Sequence, residues 1–313
     1  MTNRTCVVAC ALGLSGTAVA TPFVYEPFNY TVGNGANGQS GGTGFLAGSS
    51  WAYSEAATST STGTIAAGLT FSDLPVSGGS LLLSVVSSSS SGFSDTVNLK
   101  RRPASVPNGT TDELWTRYLF REGVNRPNVD GFVAGLTIDD AETFAGYHKF
   151  GSWALSGNAN DRGGVSVNTT VIAASSHTNL LTDSNVYMLI AKFTNINAAS
   201  SVARVGTWWA LSVADYDAIK AGGITEAELN ATHSQFATVT VMPTAAQPLN
   251  FTTSDLYDFR GIRPAVSNAF ENYYFDELYS GTTLGDLGLP LPTPGVLWGL
   301  LGVAMVGGRR RRR

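Results

Sequence analysis

The chain has 313 residues, of which 43% are hydrophobic and 13% charged, with 35 glycines and a formal net charge of −4. Its two cysteines, Cys6 and Cys10, lie at the extreme N-terminus, so the rest of the chain has no disulfide framework, no thiol nucleophile and no cysteine metal site. Setting aside Arg4 and Arg309 to Arg313 leaves 13 of 19 basic residues against 23 acidic ones, a net of −10 that argues against nucleic acid as a partner.

Met1-Thr-Asn-Arg4 is a short positive segment, and Val7 to Val19 is mostly small and apolar. Ala18-Val19-Ala20 then forms a small-residue cleavage site, so residues 1–20 read as a signal peptide that removes both cysteines on export. Runs of alternating or continuous apolar residues between turn formers come next. They predict strands at Gly44–Tyr53, Ile65–Phe71, Ser80–Val86, Leu114–Phe120, Phe132–Ile138, Tyr147–Leu155, Gly164–Ile172, Val186–Phe193, Val205–Ser212, Phe236–Val241 and Tyr273–Tyr279. Alternation is clearest where Trp115, Arg117 and Leu119 oppose Leu114, Thr116, Tyr118 and Phe120. Tyr187 to Phe193 is more continuously apolar, as a central strand covered on both sides should be.

Ser87 to Ser91 reads as a loop within one domain, and Lys100-Arg101-Arg102 as a solvated loop. Helix is expected from Val213 to Thr232. Asp215 to Lys220 makes one short helix, Gly222-Gly223 ends it, and Thr225-Glu-Ala-Glu228 opens a second in capping-box form. The resulting expectation is an all-β, two-sheet sandwich over residues 21–288 with a short helical insertion.

Residues 289–313 read as an address. Pro292-Thr293-Pro294-Gly295 separates the domain from an apolar run, Val296 to Val306, that has no charge. Arg309, Arg310, Arg311, Arg312 and Arg313 then sit where cytoplasmic positive charge is favoured. At ~1.5 Å per residue, an apolar helix over this run reaches only ~17 Å, against a hydrocarbon core of ~30 Å. A marginal span suits a transient anchor. The order of short motif, apolar helix and arginine cluster resembles the PEP-CTERM sorting signal, with Thr293 in place of the motif's glutamate. The resemblance implies export by signal peptidase in a Gram-negative bacterium, then a transient stay in the inner membrane. An exosortase-like enzyme would cut near Pro292–Gly295 and deliver the protein to the cell surface or extracellular matrix.

Val24 to Tyr30, Gly41-Gly42-Thr43-Gly44-Phe45, Trp51 and the closing Asn272 to Tyr279 are similar to bacterial surface proteins with a concanavalin A-like or laminin-G-like domain. That resemblance implies a jelly roll whose first and last strands pair near each other, and relatives that include glycan binders and glycosidases.

Catalytic signatures are absent. Retaining glycosidases need two carboxylates about 5 Å apart, which a strand supplies as Glu-x-Asp-x-Glu, and no such run occurs. Asp139-Asp140-x-Glu142 reads as a turn, Asp215-x-Asp217 as a helix N-terminus, and Asp276 as a hydrogen-bond partner for nearby backbone. His148, His177 and His233 have no metal-ligand spacing, and no Gly-x-Ser-x-Gly occurs. Asn158, Asn160 and Asp161 could offer oxygens to calcium, but not in EF-hand spacing. No cofactor is expected. Trp208 and Trp209 point to opposite faces of one strand. Either both pack, one beneath the helical insertion, or one joins Trp153 or Tyr147 as a platform on which sugar rings stack. These observations favour a non-enzymatic, glycan-binding surface or matrix protein meeting an extracellular polysaccharide. The alternative is a glycoside hydrolase or lyase with an unrecognised carboxylate pair.

Overall fold

The structure, a computed structural model, describes residues 22–55, 62–86, 95–105, 112–123, 130–137, 148–156, 162–167, 172–174, 184–198, 201–232, 236–242, 256–263 and 270–292. The signal peptide with Ala18 and Ala20, Tyr147, and the candidate calcium oxygens Asn158, Asn160 and Asp161 lie outside them. So does the tail after Pro292: Thr293, Pro294 and Gly295 of the motif, the apolar run, and the cluster Arg309, Arg310, Arg311, Arg312 and Arg313.

In chain order the strands are β1 (Val24–Glu26), β2 (Ala52–Glu55), β3 (Thr62–Ala67), β4 (Gly79–Val86), β5 (Asp95–Arg101), β6 (Glu113–Glu122), β7 (Asp130–Thr137) and β8 (His148–Ser156). They continue with β9 (Arg162–Val167), β10 (Ile172–Ala174), β11 (Val186–Thr194) and β12 (Arg204–Leu211). Helices α1 (Val213–Lys220) and α2 (Glu226–Thr232) precede β13 (Phe236–Val241), β14 (Leu256–Arg263), β15 (Phe270–Gly281) and a 3-10 turn at Leu284–Leu287. The first sheet runs β13-β12-β11-β6-β15-β4-β3, with β1 also paired to β15; the second runs β10-β9-β8-β7-β14-β5-β2. Every described pairing is antiparallel. This is an all-β two-sheet sandwich, and its first and last strands do pair, Tyr25 opposite Tyr279.

Alternation explains the layers. On β6, Leu114, Tyr118 and Phe120 turn into the core between the sheets, and Trp115 and Leu119 turn outward. The inner core takes Val97, Leu99, Tyr257 and Phe259 from the second sheet, and Phe259 packs 4.9 Å from Phe275 of the first. The outward face of the first sheet is also apolar, because α1, α2 and the 3-10 turn cover it with Tyr216, Ile219, Leu229 and Leu287. Continuous burial along β11 follows from that double cover.

The helical insertion forms, with α1 starting at Val213, two residues before the expected Asp215, on a cap the sequence reading did not name. Ser212 and Asp215 make a reciprocal capping box at α1, and the Glu228 amide donates to Thr225 Oγ1 at α2.

Several expectations need correction. Gly44–Tyr53 is mostly a turn: Gly44 and Gly48 take left-handed φ of 80° and 76°, and strand pairing begins at Ala52. An added Cβ at Gly44 would lie 1.7 Å from Phe23 O. Gly44→Ala should therefore lower stability by at least about 1–3 kcal/mol, read as a lower denaturant midpoint. The Gly164–Ile172 run divides into β9 and β10, which pair as two antiparallel strands. Ile65–Phe71 ends as a strand at Ala67, and Leu69 and Phe71 leave it to pack in the outer core. The supposed solvated loop Lys100-Arg101-Arg102 contains the end of β5, where Lys100 and Arg101 are buried.

Candidate functional site

On β5 and β14, the residues between the core-facing Val97, Leu99, Tyr257 and Phe259 point away from the core. They are Asn98, Lys100, Asp258 and Arg260, and all four are buried. Buried charge on the outward face of a sheet is the informative exception to ordinary burial. Arg260 Nη2 donates to Asp258 Oδ2 at 2.9 Å. The Oδ1 of Asn98 has no hydrogen-bond partner among the described residues.

Register extends the quartet across the second sheet in two rows. One row runs Asn98, Arg260, Val133, Trp153, Gly164. Its neighbour runs Lys100, Asp258, Gly135, Gly151, Ser166. Gly135 and Gly151 contribute no side chain beside Asp258 in the second row. Gly135 is itself partly exposed. Trp153 thus shares a row with Asn98 and Arg260, although its side chain lies outside the described part.

Trp208 and Trp209 are not part of any platform. Trp208 is in the core between the sheets and Trp209 is beneath the helices, both 0% exposed. Trp209 stacks on Trp115 with centroids 5.9 Å apart and an interplanar angle of 7°, and its Nε1 donates to Asn230. Pro292 is exposed. Among the described residues no group of three or more potential ligands could hold a metal, and no helix is long and apolar enough to cross a membrane.

Two further buried charge clusters lie elsewhere, of which the sequence reading named only Asp276. Glu26 accepts hydrogen bonds from Phe28 N, Tyr30 Oη, Trp51 Nε1 and Arg101 Nη1, and burial pushes its carboxyl upward against them. Arg101 also binds the carbonyls of Ser40 and Gly41 and lies 4.0 Å from the Phe45 ring centroid. It forms part of a cleft of about 480 Å³ lined by the glycine-rich turn Gly38–Ser50. Its committed donors make it a staple for that turn.

The second cluster is at a β-bulge in β15, between Asp276 and Tyr279. Glu277 takes a left-handed φ of 52°, a strained value for a non-glycine residue. Its carboxylate accepts from Ser77 N, Ser77 Oγ and Tyr25 Oη. Asp276 accepts from the Leu69 and Glu277 amides, as expected of a backbone partner, and burial raises its pKa to about 8. Arg117, 4.2 Å from the Tyr279 ring centroid, has no hydrogen-bond partner for Nε or Nη1 among the described residues. Asp276 and Glu277 are 0% exposed and their hydrogen bonds run to groups within the fold, so the cluster fits a folding role better than a ligand role.

The fold and the two rows define an all-β sandwich of jelly-roll type with a polar outward face. No protein-family model and no curated protein matches the chain. Among solved structures, it is similar to an endo-β-1,4-glucuronan lyase from the fungus Trichoderma reesei at 12% identity, covering 80% of this chain and 97% of that one, with a TM-score of 0.41. The carbohydrate recognition domain of Emp47p matches at 9% identity over 81% of this chain and 95% of that one, TM-score 0.39. The lectin UEA-II, complexed with galactose, matches at 10% identity over 72% of this chain and 92% of that one, TM-score 0.38. With TM-scores no higher than 0.41 among these three, the sheet order itself carries the fold assignment.

Proposed function

We propose that this is an exported, non-enzymatic surface or matrix protein that holds a polysaccharide along the outward face of its second sheet. The carrying observation is the double row in which Asn98, Lys100, Asp258 and Arg260 lie in register with Trp153 and a glycine floor. The four buried side chains fix this face from beneath, and the partly exposed Gly135 backbone is where a sugar chain can approach the rows. The signal peptide and the C-terminal segment supply the delivery route, with cutting near Pro292–Gly295 by an exosortase-like enzyme.

Among the described residues, Asp258 is the one carboxylate in these rows, and its Oδ2 is held by Arg260. A hydrolase or lyase reading needs a second group there.

Retention of the protein by immobilised polysaccharides in affinity electrophoresis tests the proposal. Trp153→Ala should weaken retention about tenfold while leaving the circular-dichroism spectrum unchanged, the size of one lost stacking contact. Unchanged retention in that variant would remove the two rows from the reading. Depolymerisation of the retained polysaccharide by the wild-type protein would replace binding with catalysis.

A further inference from the structure

The segment immediately before the sorting motif is held by the helical insertion. Ile224 N donates to Pro290 O at 2.7 Å. Leu289 is buried in the outer core with Ile219, Ile224 and Leu229. Gly223, at a φ of 83°, lies so close to the exit segment that an added Cβ would come within 2.1 Å of Pro292 N and 2.6 Å of Leu291 C. The glycine that ends α1 therefore has two jobs: it takes the left-handed turn, and it lets the chain cross directly over it. Leu291, the next apolar side chain after this contact, is 45% exposed.

We propose that the α1–α2 turn is a clamp on the C-terminal exit, and that it holds this end of the sandwich against the lipid surface while the tail is anchored. The proposal rests on the membrane-anchor reading of Val296 to Val306. Between Pro292 and that apolar run lie only Thr293, Pro294 and Gly295. Fully extended, that link spans about 10–14 Å. A freely swinging tail would let the body take any orientation. A clamped exit with so short a link narrows the range and keeps the α1–α2 turn and Leu291 on the bilayer side. A processing enzyme must then reach the motif in the gap between folded domain and membrane.

The mature chain has no cysteine, so a single fluorophore can be placed through Ala221→Cys, at an exposed position on the turn. The full mature chain is reconstituted in phosphatidylcholine vesicles carrying headgroup nitroxide lipid. The label should be quenched in the otherwise wild-type chain, and the quenching should fall at least twofold in Leu289→Asp, which frees the exit segment by placing a carboxylate in its contact with Ile219, Ile224 and Leu229. In the same pair, the Ile224 amide should exchange with deuterium at least tenfold faster once Leu289 is replaced. Gly223→Val should act in the same direction from the other side of the contact. Equal quenching in the vesicle-bound parent and Leu289→Asp proteins overturns the membrane-facing orientation. Equal Ile224 exchange overturns the clamp itself. If the parent does not float with the vesicles, the anchor reading and the orientation fail together, and the exchange measurement still decides the clamp.

Discussion

Replacing Glu26 by Gln is expected to destabilise the protein by about 3–5 kcal/mol, the loss seen when one partner of a buried ion pair is removed. The carboxylate is fully buried and joins three parts of the fold. It receives Phe28 N at 2.9 Å from its own strand end, Tyr30 Oη at 2.9 Å, Trp51 Nε1 at 2.8 Å and Arg101 Nη1 at 3.1 Å. A glutamine has one acceptor oxygen. With its oxygen turned towards Tyr30, Trp51 and Arg101, its amide nitrogen confronts the Phe28 N–H, donor against donor. With the amide flipped, three donors lose their acceptor. Either way Arg101 stays buried without its counter-charge, because Ser40 O and Gly41 O supply dipoles and no negative charge.

Urea unfolding followed by tryptophan fluorescence measures this loss. A drop under about 1 kcal/mol would mean that the backbone carbonyls alone satisfy Arg101. The double variant Glu26→Gln with Arg101→Met separates the two explanations. Removing both charges should recover part of the loss, giving a coupling energy outside the roughly 0.5 kcal/mol of independent sites. Because Arg101 holds the turn that forms the cleft, the variants should also loosen residues 38–50, seen as faster amide exchange at Gly38, whose N–H donates to Trp51 O.

This hub shows why part of the molecule is invisible to pattern reading. Lys100-Arg101-Arg102 looks like a solvated run because three cations adjoin. Yet β5 alternates correctly, with Val97 and Leu99 inward and Asn98 and Lys100 outward. Only two apolar residues mark it, and the partner that permits Arg101 to be buried is 75 residues away. β14 is within reach: Tyr257 and Phe259 alternate with Asp258 and Arg260, a clean period of two that the charged face disguises. By contrast, β6, β11 and β12 are legible because apolar residues occupy both faces or strictly one. The cap of α2 is legible because a cap is local chemistry.

The candidate site is legible only in part. Trp153 is a visible aromatic, but its row with Arg260 and Asn98 depends on register between strands far apart in sequence. The Trp208-Trp209 pair reads as core in preference to platform, but the sequence holds no partner that settles it. Only the helices over the first sheet decide it, by covering the face that Trp209 occupies.

The pH dependence of stability should carry the mark of Asp276. Its carboxyl is fully buried on the helix-covered face, and desolvation is the main cause that raises its pKa from 3.8 to about 8. The Leu69 and Glu277 amides and the charge of Arg117 oppose that rise, and the neighbouring Glu277 carboxylate adds to it. Between those two pH values the folded protein keeps a proton that the unfolded chain has lost. Stability from this group is therefore complete below about pH 4, falls as pH rises towards 8, and levels off beyond. The steepest slope is about 1.4 kcal/mol per pH unit. Over the whole window the loss is on the order of 5 kcal/mol. Asp276→Asn should remove this slope, because the amide is neutral throughout. It should cost a roughly pH-independent 0.5–1.5 kcal/mol, since one of the two backbone donors loses its acceptor. The variant is thus expected to be less stable than the parent at about pH 4 and more stable at about pH 8, with the two curves crossing between. Denaturation midpoints measured across that range decide it. Parallel curves would mean that Asp276 is ionised in the folded protein from acid upward, held so by Arg117 and its two amide donors.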